Sequence, residues 1–225
     1  MLPSKKDVAQ IIEDFGNQGV VFQSEAQFQF QLAWELKQRC GNTEVLLEYV
    51  SMVSSQSNKR FYTDVIVKEG DQFVAIELKY KTKAETINGV SLLEHGATDC
   101  GRYDYLWDIK RLQLLKNRNT QNYSYAASLG TCVDAFAVML TNESKYWEYG
   151  RTVKRAENAL YYSFCLKHGE PIPNKFLDWA HKQPPSENHW TKSRPGFTLD
   201  PIKTTHFAWE KYGSIPRMRY VICEI

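Results

Sequence analysis

The sequence has no apolar run long enough to cross a membrane. Its longest nearly apolar stretch, Cys132–Leu140, is far shorter than the ~20 residues that a transmembrane helix needs. The first fifteen residues, MLPSKKDVAQIIEDF, are charged and lack the apolar centre of a signal peptide. These features favour a cytoplasmic protein with no membrane partner.

Paired metal-binding cysteines are also missing. The five cysteines are odd in number and widely scattered, and no two of them form a C-x-x-C pair. A zinc ribbon or a redox dithiol is therefore not expected. We expect the cysteines to be free thiols in a reducing compartment. The five histidines show no spacing typical of zinc ligands.

The common motifs of nucleotide and acyl chemistry are absent too. The chain contains no Walker sequence, no dinucleotide-binding fingerprint and no G-x-S-x-G nucleophile motif, so it is not expected to hydrolyse ATP. Its formal net charge is only +2 and its pI is about 8.2. Such a mild excess of base tolerates a nucleic-acid partner without arguing for one, and any electropositive surface must be local.

With 225 residues, of which 43% are hydrophobic, the chain is long enough for one α/β domain with a sizeable core. We expect one domain over residues 1–225, with a core at about 23–140 and a C-terminal elaboration at about 150–225. Capping residues and hydrophobic periodicity predict the following core elements. They are helices at Ser4–Phe15, Ser24–Cys40 and Arg102–Asn117, and strands at Glu44–Met52, Arg60–Lys68, Gln72–Lys81 and Cys132–Leu140.

The last third of the chain differs in composition, since seven of the eight prolines follow residue 170. We predict a helix at about Lys154–Lys167, a long irregular excursion over residues 170–203, and two added strands at His206–Glu210 and Arg219–Ile225. Several late aromatic residues could stack on nucleobases, but core packing is the favoured interpretation. These are Trp179, Trp190, Phe197 and Trp209.

The most informative stretch is FYTDVIVKEGDQFVAIELKYKTK, residues 61–83, which reads as a hairpin of two apolar strands around Glu69–Asp71. Each strand carries charge where a core strand should not. Because side chains alternate across a strand, Glu77 and Lys79 share one face. Folding about the turn brings Asp64 opposite residue 75 or 76, so the three charges can converge.

Two carboxylates brought together on neighbouring strands of one hairpin repel each other, and burying them unpaired is costly. A divalent cation removes the conflict, and hard oxygen ligands of this kind suit magnesium or manganese. The metal would acidify a water molecule, and Lys79 could hold that water or neutralise a phosphate. The alternative is an ordinary salt bridge on a solvated face of the sheet.

In the order helix, three antiparallel strands, helix and strand, this pattern resembles the PD-(D/E)XK nuclease superfamily, over about Gln23–Leu140. The resemblance implies a restriction-endonuclease-like αβββαβ core with a mixed central sheet flanked by helices. It also implies metal-dependent cleavage of phosphodiester bonds, most often in DNA. Asp64, in YTD rather than a literal PD, and Glu77-Leu78-Lys79 match the superfamily's signature.

The resemblance further implies a role for each residue. Asp64 and Glu77 would ligate Mg²⁺ or Mn²⁺ together with the backbone carbonyl of Leu78, and Lys79 would assist the chemistry. Glu25, in the first turn of its helix, matches an extra glutamate of many members, and Glu35 is a second candidate further along.

Several polar residues near this pattern have both a functional and an ordinary interpretation. Gln29 lies one turn after Glu25 and could share its face. Asp108 or Arg111 could contribute to the site, although a helix-surface ion pair also explains them. Lys81 and Lys83 could form a phosphate-binding rail or a solvated strand end. A further basic cluster is formed by Arg151, Lys154 and Arg155. Its position slightly favours ligand binding over a role in solubility alone.

Three functions therefore stay open. The favoured one is a magnesium-dependent deoxyribonuclease with nucleic acid as its partner. The others are a catalytically inactive nucleic-acid-binding or assembly module on the same fold, and an RNA-directed nuclease. A homodimer, or a larger assembly in defence or in DNA repair, is compatible with each.

Overall fold

The computed structural model describes residues 1–118, 121–148, 163–179 and 193–225. Three α-helices lie in this part of the chain: α1 (Lys5–Asn17), α2 (Glu25–Cys40) and α3 (Thr98–Asn117). The strands, in chain order, are β1 (Glu44–Ser54), β2 (Arg60–Glu69), β3 (Gln72–Lys81), β4 (Glu85–Ile87), β5 (Val90–Leu92), β6 (Tyr123–Tyr125), β7 (Thr131–Thr141), β8 (Phe176–Leu177), β9 (Phe197–Thr198), β10 (Glu210–Tyr212) and β11 (Ile215–Glu224).

The centre of the fold is a seven-stranded sheet in the order β10-β11-β7-β3-β2-β1-β6. The β3–β7 pair is parallel, and the other neighbouring pairs are antiparallel. A parallel pair needs a crossover connection, and α3 lies in the segment that joins β3 to β7. The predicted α/β class with a mixed central sheet is thus confirmed.

Helices cover both faces of this sheet. One apolar cluster joins Phe28 and Leu32 of α2, and residues of α1, to Ile76 and Leu78 of β3. The other apolar cluster packs Ile109 and other residues of α3 against the opposite face of the sheet. Because β7 is buried on both faces, its sequence is almost continuously apolar and does not alternate.

Hydrogen bonds around the N-terminal turn of α2 fix the position of Glu25. Ser24 has an extended backbone and its hydroxyl accepts a hydrogen bond from the N–H of Gln27, as the N-cap prediction requires. The Gln27 side chain accepts a hydrogen bond from the N–H of Gln23, the residue before the N-cap. Tyr80 of β3 donates its hydroxyl to the carbonyl of Phe22, at 2.6 Å, and ties this turn to the sheet.

The C-terminal third departs from the predictions in three places. The strand predicted at His206–Glu210 is wrong, because residues 206–209 are irregular apart from one bridge between His206 and Pro171, and β10 begins only at Glu210. The final strand begins at Ile215, earlier than predicted. Of the helix predicted at Lys154–Lys167, residues 163–167 are not helical, and the remainder lies outside the described residues.

Trp179, Phe197 and Trp209 are buried in the cluster under α3, which confirms the core-packing interpretation for these three. Trp190 and the basic cluster Arg151, Lys154 and Arg155 lie outside the described residues. None of the described helices is long and apolar enough to cross a membrane.

Close packing between α1 and the β10–β11 turn gives a test of the fold. A methyl group added at Gly16 would overlap the backbone carbonyl of Tyr212, which cannot move away as a flexible side chain could. We expect Gly16→Ala to lower the free energy of unfolding by about 1–3 kcal/mol, the usual cost of overpacking. Gly96→Ala, which meets no atom within 4 Å, should leave stability nearly unchanged in denaturant titrations. Equal stability of the two variants would contradict this packing.

Candidate active site

The candidate site forms where β2 and β3 separate. Their pairing runs from Glu69 opposite Gln72 to Val65 opposite Ile76, and stops there. Beyond that point β2 stays paired with β1, and β3 stays paired with β7 as far as Lys81. Extending the register places Asp64 level with Glu77, slightly further along β3 than the sequence predicted. The split therefore begins at these two carboxylates.

Two carboxylates bond to the edge of β3 that β2 leaves open. Asp64 Oδ2 accepts a hydrogen bond from the N–H of Leu78 at 2.6 Å. Glu25 Oε2, reaching over from α2, accepts from the N–H of Tyr80, also at 2.6 Å. The intervening side chain, Lys79, donates to the carbonyl of Leu78 at 3.1 Å. Of the three side chains predicted to converge, Asp64 and Lys79 thus meet at this strand edge together with Glu25.

From the other side, α3 contributes two charged residues. Asp108 Oδ2 lies 2.7 Å from Lys79 Nζ, and Arg111 Nη2 lies 2.9 Å from Glu77 Oε1. The Asp108–Arg111 pair predicted from helical spacing is present at 3.0 Å. It is largely buried rather than on the surface, because the side chains of Asp108 and Arg111 are only 4% and 16% exposed. Arg111 also donates to the backbone carbonyl of Tyr62.

A further glutamate, which the sequence did not single out, lies beside this network. Gln29 Nε2 donates to the carbonyl of Asp64 at 2.7 Å and to Glu48 Oε1 at 2.8 Å. Glu48 belongs to β1 and has a φ of 47°, which is unusual for a residue inside a strand. Neither its backbone conformation nor its proximity to Gln29 leaves a signal in the sequence EVLLEYV.

The remaining polar candidates lie elsewhere. Glu35 is ion-paired with Arg39 on α2, at 3.4 Å, which makes Glu25 the glutamate of that helix that reaches β3. Lys83 is exposed just beyond the end of β3, and Lys81 is partly buried at its last residue. Their role as a phosphate-binding rail stays a prediction.

Burial shifts the proton affinities of the carboxylates. It raises the pKa of Asp64 to about 6, a rise to which Asp108 and Glu25 add and which Lys79 and the Leu78 amide oppose. It raises the pKa of Glu77 well above its usual range, although the Arg111 guanidinium acts in the opposite direction. Burial also lowers the pKa of Lys79, but the carboxylates of Asp108, Glu25 and Asp64 outweigh it and raise that pKa overall. Lys79 is therefore a cation at any physiological pH.

The donor chemistry of the candidate site fits a hard divalent cation, although its side chains are not arranged as a ready-made ligand cluster. In the described part of the chain, no three His, Cys, Asp or Glu side chains are arranged to hold a metal ion. Asp64, Glu25, Glu77 and the Leu78 carbonyl nevertheless supply oxygen ligands of the kind that Mg²⁺ prefers. Glu77 Oε2 is buried and has no hydrogen-bond partner among the described residues. An orphan carboxylate oxygen of this kind is costly and would gain from a cation.

Comparison with known proteins adds no family to these observations. No protein-family model matches the sequence, and no curated protein or solved structure is significantly similar to it. The function must therefore be argued from the site itself.

The raised pKa of Asp64 predicts a pH-dependent stability. Since the folded protein holds this proton more tightly than the unfolded chain, whose pKa is near 3.8, the free energy of unfolding should fall as pH rises from about 4 to about 6. In EDTA, Asp64→Asn should make this fall shallower in denaturant titrations.

The matched control is Asp71→Asn, in the exposed turn at the other end of the same hairpin. It should keep the wild-type pH dependence. An identical pH profile for Asp64→Asn and the wild type would contradict the assignment.

Proposed function

We propose that this chain is a magnesium-dependent nuclease with a restriction-endonuclease-like core, which hydrolyses phosphodiester bonds in DNA. The observation that carries the proposal is that Asp64, Lys79 and Glu25 meet on the edge of β3 where β2 separates from it, with Glu77 level with Asp64 and paired with Arg111. The element order supports it, since α2, β1, β2, β3, α3 and β7 follow one another, with the short strands β4, β5 and β6 and a single 3-10 turn at Ala127–Leu129 between them in the described residues.

The site residues would have different roles in catalysis, according to their chemistry. Asp64, Glu77 and the Leu78 carbonyl would hold Mg²⁺ or Mn²⁺ directly, and Glu25 would bind the ion through a water molecule. When bound, the ion would supply an acidified water and stabilise negative charge on the phosphate. The carboxylates of Asp108, Glu25 and Asp64 raise the pKa of Lys79 in the metal-free protein, so it is poorly suited to act as a base. It instead donates hydrogen bonds, and Asp108 fixes its direction at 2.7 Å. It is therefore suited to orient the attacking water or to neutralise the phosphoryl oxygens.

One observation favours a second candidate, an inactive nucleic-acid-binding or assembly module. Both cations of the site already have carboxylate partners, with Lys79 on Asp108 and Arg111 on Glu77. A network of this kind could serve only to join α3 to the sheet. Metal binding and cleavage distinguish the two candidates, because an inactive module would show neither.

Metal binding should stabilise the folded protein. A ligand that prefers the native state raises the melting temperature by mass action. We expect millimolar Mg²⁺ or Mn²⁺ to raise the melting temperature of the wild type, and to raise that of Asp64→Asn little or not at all. Thermal melting with metal or EDTA measures this. An equal shift in both proteins would place the metal somewhere else.

Cleavage should depend unequally on the two acids that cap β3. Asp64→Asn should abolish activity, because it removes an expected direct ligand. Glu25→Gln should lower activity by roughly 10–100-fold, the usual loss for a group that acts on a metal through an outer contact, with partial recovery in Mn²⁺. Glu35→Gln, a change of the same type on the same helix but paired with Arg39, should keep wild-type activity.

The assay uses circular and linear duplex DNA, single-stranded DNA and RNA, each with Mg²⁺ or with EDTA. Cleavage of the circular substrate would identify an endonuclease. Cleavage of RNA alone would reassign the substrate. Full activity of Asp64→Asn, or activity in EDTA, would refute the proposed chemistry.

A further inference from the structure

Arg111 is held more firmly than a helix-surface arginine. Its guanidinium bonds to Glu77 Oε1 at 2.9 Å, to Asp108 Oδ1 at 3.0 Å and to the Tyr62 carbonyl. The guanidinium also lies 5.9 Å from the centre of the Phe61 ring, and the side chain is largely buried. One cation therefore connects β2, β3 and α3 at the candidate site.

The partner of Arg111 is the carboxylate that a metal site would need. Asp64 and Glu25 already reach the open edge of β3, whereas Glu77 is turned into its ion pair with Arg111. The described residues contain no three-acid metal cluster. Meanwhile Glu77 Oε2 is buried without a hydrogen-bond partner.

We propose that Arg111 takes the place of a divalent cation at Glu77 in the metal-free protein, and that metal loading exchanges the Arg111–Glu77 ion pair for a metal–Glu77 contact. The inference rests on the proposed metal-dependent function and adds a positioning residue to it. Exchange leaves Arg111 with two partners, Asp108 and the Tyr62 carbonyl, so its charge need not be left unpaired. Glu77 in turn gives its orphan oxygen a cation.

Removal of Arg111 should then make metal binding tighter. Competing ligands are linked by a coupling free energy, whose usual size corresponds to changes in affinity of about 5–150-fold. We expect Arg111→Gln to bind Mn²⁺ about tenfold more tightly than the wild type, measured by calorimetry in the absence of DNA, and to melt at a lower temperature without metal. Lys110→Gln, on the same helix and paired with Asp200, should bind Mn²⁺ like the wild type.

Arg111→Lys separates exchange from simple charge repulsion. Lysine keeps the positive charge but lacks the planar fork that holds Glu77 and Asp108 together. Exchange predicts an intermediate gain in Mn²⁺ affinity, whereas repulsion alone predicts wild-type affinity. Wild-type affinity in Arg111→Lys would overturn the inference, as would unchanged or weaker binding in Arg111→Gln.

A measurement on the wild type covers the case in which the variants do not fold. The side-chain Nε–H signal of Arg111 in ¹⁵N spectra should shift when diamagnetic Mg²⁺ saturates the protein. An unchanged signal at saturation would refute the exchange while leaving the metal site intact. If neither Mg²⁺ nor Mn²⁺ binds the wild type or the folded variants, the proposed function itself fails, and the inference fails with it.

Discussion

The site depends on one requirement of backbone chemistry: two strands that separate must find new partners for the N–H groups they expose. An unpaired buried amide costs about as much as a lost hydrogen bond, so such groups are rarely left alone. Here β3 loses β2 after Ile76, and the N–H groups of Leu78 and Tyr80 are capped by Asp64 and Glu25. The split and the two acids are parts of one arrangement.

This requirement has electrostatic consequences that reach α3. Carboxylates drawn into a partly buried split lose water, and burial raises the pKa of both Asp64 and Glu77. Buried carboxylates are stabilised by neighbouring cations. Lys79 and Arg111 supply the positive charge here, and Asp108 is ion-paired with both. The position of α3 on the sheet is thus tied to the charges of the β2–β3 hairpin as well as to apolar packing. A change in one charged residue should therefore affect its neighbours in a non-additive way.

Much of the fold could be predicted from local signals, and most of the site's internal pairing could not. Ser24 and Gly41 mark the ends of α2, and the two-residue turn at Gly70 and Asp71 sets the hairpin, so these boundaries agree closely with the structure. The alternation of side chains placed Glu77 and Lys79 on one face. The hairpin β4–β5 and the late strand β10 are only three residues long per strand and carry too little periodicity to be recognised.

The partners of the charged residues were beyond the sequence for a different reason. Arg111 and Glu77 are 34 positions apart in the sequence, and the choice between a surface pair and a buried one depends on how α3 docks. Glu48 is a similar case, because neither its positive φ nor its hydrogen bond from Gln29 can be predicted from the local sequence. Spacing within one element is readable, but pairing between elements requires the tertiary structure.

A purely structural ion network should come close to electrical balance, and this one does not. Among the described residues, the cations in ion-pair contact with the four acids Glu25, Asp64, Glu77 and Asp108 are Lys79 and Arg111, which leaves a formal charge of −2 when all four acids are ionised. Buried ion pairs are in any case poor sources of stability, because desolvation offsets their attraction. Burial is the main cause of the raised pKa values of Asp64 and Glu77, and the neighbouring carboxylates add to it. A divalent cation carries the charge that would remove the excess negative charge, which is why the imbalance favours a metal site over a simple clamp between α3 and the sheet.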